Sequence, residues 1–483
     1  NLTIDKSYFS NESANFSVGT LTLTDSGNSL NSYIDVNTGA MTAANMTYTR
    51  TDGNTGQLCN ALCTTANAGT LTVNGLATIA GNLKLYNDTS ASFNDLTINS
   101  GTMTLANAAR AIGTLTIAAG ATLQVDNTLT LAKAGTSLVN NGTLSFAANG
   151  TDGTIRYAGA AAQTITGTTY RNLTTENASG LTASLSTIIS RLWSLVAGLV
   201  SSAGNATMNT ATTFSRTGGS LNVAPVFGTT VNVEYPQYGS AITTGPEIPT
   251  SATVLNNFTV NSTNNVTLNT DVTVNGAFNL TAGVLTATAK LSTVDAAGSV
   301  VRTTGYVVGG DNTTGGLERE FPTGAALTKK FDVGSATTYL PVTVTFDGSV
   351  TTAGTVKVAI VESQHPQIGT SGLTKTPTFY FRIDPSPGLV FTGTLSLEMT
   401  IPKNQFPAGI AFNNLSLGRF KDGAWTTYAV TVLAEDSNNI TIKVSGITGF
   451  SNFVPGEGGG GSVATLMSFT PTAGALSIAD AAD

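Results

Sequence analysis

The residues able to do covalent or metal chemistry are few, and their spacing assembles none of the usual constellations. The 483-residue chain has one histidine, His365 in Glu362-Ser363-Gln364-His365-Pro366, and two cysteines, Cys59 and Cys63. One imidazole leaves no room for multi-histidine metal centres, and its place before a proline reads as a turn residue rather than as the base of a triad. Two thiols without a neighbouring histidine do not complete the four donors of a zinc site. Their spacing and the lack of a strand–helix context also differ from a thiol redox motif, so in an oxidising compartment Cys59 and Cys63 read as a disulfide pinning the insertion at residues 50–68. Asp88, Asp95, Asp126 and Asp152 lie scattered in Asn/Asp/Gly turns and form no paired acid and base. The stretches 311–316 and 435–439 are rich enough in oxygen to hold Ca²⁺, but turns use the same residues. The expectation is no catalytic residue, no metal ligand and no cofactor.

Amide and hydroxyl chemistry is more abundant. Seventeen Asn-x-Ser/Thr sequons occur, and Asn87, Asn141, Asn149, Asn312 and Asn439 are the glycosylation candidates among them. Charged residues make only 10% of the chain, with a net charge of −7. There is no basic face for nucleic acid, and solubility rests on Thr, Ser and Asn. The longest apolar run, residues 188–200, is broken by Arg191 and fits buried coils or a short helix better than a membrane span. With no basic-then-apolar leader at its start, the sequence reads as a secreted product whose signal has been removed.

The elements that must carry these residues are short strands. Leu71-Thr72-Val73, Leu96-Thr97-Ile98, Met103-Thr104-Leu105, Leu115-Thr116-Ile117, Leu129-Thr130-Leu131, Val266-Thr267-Leu268 and Val272-Thr273-Val274 repeat one pattern. Each offers two apolar side chains to an interior and one β-branched hydroxyl to water, because successive strand residues face opposite ways. Asn, Gly, Ser and Ala separate them and tolerate tight corners. All 14 prolines fall at or after Pro225, where an average composition would put about 11 before it. Proline has no N–H for a ladder, so its absence fits a long stack of hydrogen-bonded coils. Leu96-Thr97-Ile98 and Leu115-Thr116-Ile117 are offset by nineteen, and Phe258-Thr259-Val260 and Phe278-Asn279-Leu280 by twenty. This predicts an all-β fold, with a parallel β-solenoid (β-helix) over 65–315 after an N-terminal β cap region at 1–64. Residues 236–249, with three prolines, read as an excursion from the stack.

Near Gly316 the sequence changes to longer alternating strands with more charge and proline, such as Val342-Thr343-Val344-Thr345-Phe346 and Phe379-Tyr380-Phe381-Arg382-Ile383. An antiparallel β-sandwich is expected over 316–455. A Gly-rich linker is expected at 456–462. A C-terminal tail strand comes next at 463–483, with Val463, Leu466, Met467 and Phe469 as its assembly residues.

The stretch Asp422-Gly423-Ala424-Trp425, with Ile440-Thr441-Ile442-Lys443-Val444 continuing through Phe453, resembles the β-sandwich before the sorting region of large type IX secreted surface proteins of Gram-negative bacteria. Residues 266–276 are similar to the solenoid repeats of those proteins, and Leu466-Met467-Ser468-Phe469-Thr470 resembles the opening of their sorting region. Where a sorting domain would continue, this chain ends at Asp483, which implies processing or another job for the tail. The resemblance implies a secreted, cell-surface location. The leading expectation is a structural subunit that polymerises with copies of itself into a filament or layer. Alternatives are an adhesin or carbohydrate-binding stalk that meets surface polysaccharide, and, more weakly, a polysaccharide-degrading β-helix enzyme.

Overall fold

In a computed structural model of the chain, the residues described are 1–5, 8–10, 15–25, 33–35, 39–51, 55–59, 69–85, 89–147, 153–268, 270–288, 290–293, 299–309 and 315–458. They are all-β: a parallel solenoid of about 12 turns followed by antiparallel sheets. The chain divides into two compact units, Asn1–Tyr306 and Val307–Asp483.

The first unit is built as the triplets dictate. Leu96-Thr97-Ile98 pairs in parallel with Leu115-Thr116-Ile117, and Phe258 with Phe278, so the nineteen- and twenty-residue offsets are rung-to-rung steps. Leu96, Ile98, Leu115 and Ile117 are fully buried. One inward column runs in register through Met41, Leu71, Ala91, Ala109, Leu129, Ile155, Leu173, Trp193, Phe214, Val233, Phe258 and Phe278. Every member is buried. The side chains grow from alanine at Ala91 and Ala109 to aromatic at four of the five positions beyond Leu173, where Trp193 meets Phe214 edge-on at 5.2 Å and Phe258 stacks on Phe278 at 5.6 Å. Each rung leaves its apolar face for the next rung to cover, so stability is a sum of neighbour contacts.

Parallel pairing already begins at Leu2–Asp5, which lies against Phe16–Asp25, and continues through Ala40–Arg50 to Gly69–Ala80. The described strands of the expected cap region therefore extend the same ladder. The apolar run at 188–200 forms the strands Thr187–Ala197 and Leu199–Ser201 rather than a helix. No helix among the described residues is long and apolar enough to cross a membrane. Gly101, at φ +71°, sits directly over Gly81, at φ +123°, and a Cβ at Gly101 would lie 2.4 Å from the Gly81 carbonyl carbon. At that corner both the left-handed angle and the rung spacing require glycine.

The second unit holds antiparallel sheets. In one, Gly316–Phe321, Gly354–Val361, Tyr380–Pro385, Ser451–Glu457, Leu415–Lys421 and Ala424–Ala429 are neighbours in that order. In a second, Thr328–Phe331, Val342–Phe346, Leu395–Pro402, Asn439–Ile447 and Thr431–Glu435 follow one another. Phe346 is enclosed by Phe321, Phe391 and Phe450 at 4.9–5.9 Å.

Candidate functional site

Three groups of polar residues are held firmly enough to ask what they do. The first is the outward face of the solenoid. Thr3, Thr22, Thr47, Thr78, Thr97 and Thr116 occupy one register position on six successive rungs. Strand spacing sets their hydroxyls about 4.8 Å apart along the stack. The rank is uncharged and ends at Val139.

The second group lies at the solenoid wall. Arg216 and Glu247 form an ion pair at 2.5 Å, with side chains 10% and 0% exposed. Glu247 Oε1 also accepts from the Tyr235 hydroxyl at 2.9 Å and the Gly245 N–H at 3.0 Å. The guanidinium donates to the carbonyls of Gly218, Gly219 and Thr243. Burial, together with the adjacent Glu247 charge, holds the Tyr235 hydroxyl well above its ordinary pKa. The residues read as an excursion thus fold back: Glu247 is drawn inward, and Ile242-Thr243 pairs in parallel with Val266-Thr267. The cluster's chemistry is mutual neutralisation, which fixes the loop.

The third group surrounds His365, which is 4% exposed. Its ring lies 4.9 Å from Tyr380, 4.8 Å from Phe420 and 5.0 Å from Trp425, edge to face in each case. Below it a row crosses the sheet in register, Arg382 beside Asn452, Asn452 beside Phe420, and Phe420 beside Trp425. Gly418 makes room for the indole, since a Cβ there would come within 3.1 Å of the Trp425 ring. The His365 carbonyl closes a turn by accepting from Ile368 N–H at 3.0 Å. Nδ1 accepts from Gln367 N–H at 3.2 Å, and the Gln367 carbonyl accepts from Trp425 Nε1–H at 3.0 Å. With Nδ1 accepting, the neutral ring carries its proton on Nε2; Asn452 Nδ2 lies 3.2 Å from that nitrogen, and turning the carboxamide over about its Cβ–Cγ bond brings Oδ1 there as the acceptor. Burial lowers the His365 pKa below the usual histidine value. His365 is thus a turn residue, as its sequence suggests, and also the centre of an aromatic box. Tyr380, Phe420, Trp425 and Asn452 gave no local signal, because they come from four different strands.

Of the residues singled out from sequence, Asn141 is exposed beside the strand Thr143–Phe146, and Asn439 is half-buried at the start of Asn439–Ile447. Asp436 accepts the N–H groups of Asn438 and Asn439, which lowers its pKa and marks 435–439 as a turn. Among the described residues no three His, Cys, Asp or Glu gather as a metal site. Asn87, Asn149, Asn312, most of the 311–316 stretch, Cys63 and the side chain of Cys59 lie outside the described residues, as do Val463, Leu466, Met467 and Phe469.

Fold and sites together define an all-β protein with a parallel solenoid and an antiparallel sheet unit. No family model matches the chain, and no curated protein or solved structure is similar to it.

Proposed function

We propose that the chain is a non-enzymatic structural protein of an extracellular surface, joined into a filament when the strand 463–470 of one copy adds to a sheet edge of the next. One observation carries this reading. The strand Ala424–Ala429 ends its sheet, and among the described residues its backbone pairs on one side only, with Leu415–Lys421. Ala424, Thr426, Thr427 and Ala429 are exposed along it. An edge of this kind presents a row of free N–H and C=O groups that template an added strand. In Val463-Ala464-Thr465-Leu466-Met467-Ser468-Phe469-Thr470 a period of two puts Val463, Met467 and Phe469 on one side and Leu466 on the other, which gives 463–470 the sequence character of such a strand.

Electron microscopy of the full chain and of a chain lacking residues 463–483 tests this. The full chain is expected to form filaments and the truncated chain folded single particles. Filaments of normal length from the truncated chain would overturn strand donation. Thr427→Pro, which removes one edge N–H and places a ring in the path of the added strand, is expected to act on the acceptor side as the deletion acts on the donor side.

The threonine rank favours a second reading, an adhesin whose solenoid face meets a neutral polysaccharide. Binding to such a polymer that falls when Thr78 and Thr97 are both replaced by lysine, with filaments intact, would select this reading over the first.

A further inference from the structure

His365 is the only histidine of the chain, and it holds a backbone that also grips the edge strand. The Gln367 peptide is fastened at both ends, its N–H to His365 Nδ1 and its C=O to the Trp425 indole. Trp425 belongs to Ala424–Ala429, the edge where strand addition is proposed. A neutral imidazole can accept at Nδ1; an imidazolium donates at both nitrogens and cannot. Protonation would set an N–H of the ring against the Gln367 N–H, and the turn must then open at that point.

We propose that protonation of His365 releases the turn at Gln367 from Trp425, so that the edge strand is held ready for an added strand near neutral pH and let go in acid. The coupling to assembly rests on the strand-donation reading; the release of Trp425 does not.

The surroundings set the direction. The side chains that the packed strands turn toward the ring are Tyr380, Phe420, Trp425 and Asn452, none of them an anion able to hold an imidazolium. The charges of the same strands are Arg382 and Asp384 on Tyr380–Pro385, Arg419 and Lys421 on Leu415–Lys421, and Glu457 on Ser451–Glu457. Asp384 lies 3.3 Å from the Arg382 guanidinium, and Glu457 3.2 Å from Lys375. Arg419 donates to the Tyr428 and Thr448 hydroxyls. On the histidine's own segment, Glu362 accepts from Ala336 N–H. The carboxylates among these groups are engaged elsewhere, and desolvation keeps His365 neutral. The ordered edge it supports costs an incoming strand less conformational entropy than a loosened one.

The test uses the chain lacking residues 463–483, whose own tail cannot fill the edge or build filaments, carrying Trp193→Phe so that Trp425 is its one indole. The His365 ring proton resonances are followed by NMR from pH 7.5 downward, alongside Trp425 emission and the binding of a labelled Val463–Thr470 peptide. The expected result is a red shift of Trp425 emission with the midpoint of the His365 titration, below 6.5, and about tenfold weaker peptide binding one unit below that midpoint. His365→Gln keeps an acceptor but not the titration, and should flatten both curves. Emission that ignores the His365 titration, or moves identically in His365→Gln, overturns the proposal. If the peptide does not bind at pH 7.5, strand donation fails and the coupling with it, while the emission curve still decides the release.

Discussion

At single positions the fold is least tolerant where a charge has no partner. Ile117 is fully buried between Ile98 and Asn140 on the neighbouring rungs. Ile117→Asp places a carboxylate where neither water nor a cation reaches, a change expected to cost several kcal/mol and to unfold the adjoining rungs. Hydrogen exchange should show lost protection centred on residues 115–117 and reaching 96–98 and 138–140. Glu247→Leu leaves the Arg216 guanidinium buried without its anion, and thermal unfolding should show a loss of about 3 kcal/mol. Replacing Arg216 by leucine as well should recover most of that loss, because two apolar side chains then occupy the space of the pair. Neither Arg216 nor Glu247 stood out in the sequence, since thirty-one residues separate them and nothing local marks them as partners. His365 was legible only as a turn for the same reason. A lone histidine before proline announces its own backbone, and the rings that enclose it arrive by tertiary pairing.

Elements were more readable than residues, because a period of two needs only three or four positions to declare which side faces inward. The triplets from Leu71 to Val274 gave both the strands and their inward residues. The rungs before residue 64 were harder to see: Leu21-Thr22-Leu23 and Met46-Thr47-Tyr48 carry the same pattern, but longer polar insertions dilute it. The excursion at 236–249 is marked by its prolines, yet Ile242-Thr243 rejoins the ladder, a pairing that two residues are too few to signal. Thr97→Pro tests the ladder as an element. Its N–H lies within the pairing between Leu76–Ala80 and Leu115–Ile117, so the change should cost about 3 kcal/mol or more, read as a lowered denaturant midpoint. In the second unit, Gly418→Val would push the Trp425 ring off the strand beside it. Loss of the His365–Trp425 contact should then appear as a more exposed indole emission at neutral pH.

On the scale of the whole molecule, cohesion is distributed along the chain, in contrast to a fold built around one central core. The inward column of Asn1–Tyr306 passes through a dozen rungs, and each touches chiefly the one before and the one after. Equilibrium unfolding of this unit by denaturant is therefore expected to be broader than a two-state transition for its size, with probes in different rungs reporting different midpoints. Coincident midpoints for probes near Leu71 and Phe278 would count against that.

The same rung-to-rung equivalence makes length a quantity the gene can change in whole steps. Leu96 and Leu115 hold identical positions one rung apart, so excising residues 96–114 joins Asp95 to Leu115 and keeps the facing of every remaining rung. Such a deletion should yield a shorter solenoid with unchanged circular dichroism per residue. Excising residues 96–105 instead cuts through the middle of a rung, inverts the facing of the residues after the cut until the next turn, and should leave the protein unfolded over several rungs. Copying or losing one such segment is then a single genetic event with a folded product, and the height of the stack can vary between otherwise identical chains without any new contact having to be invented.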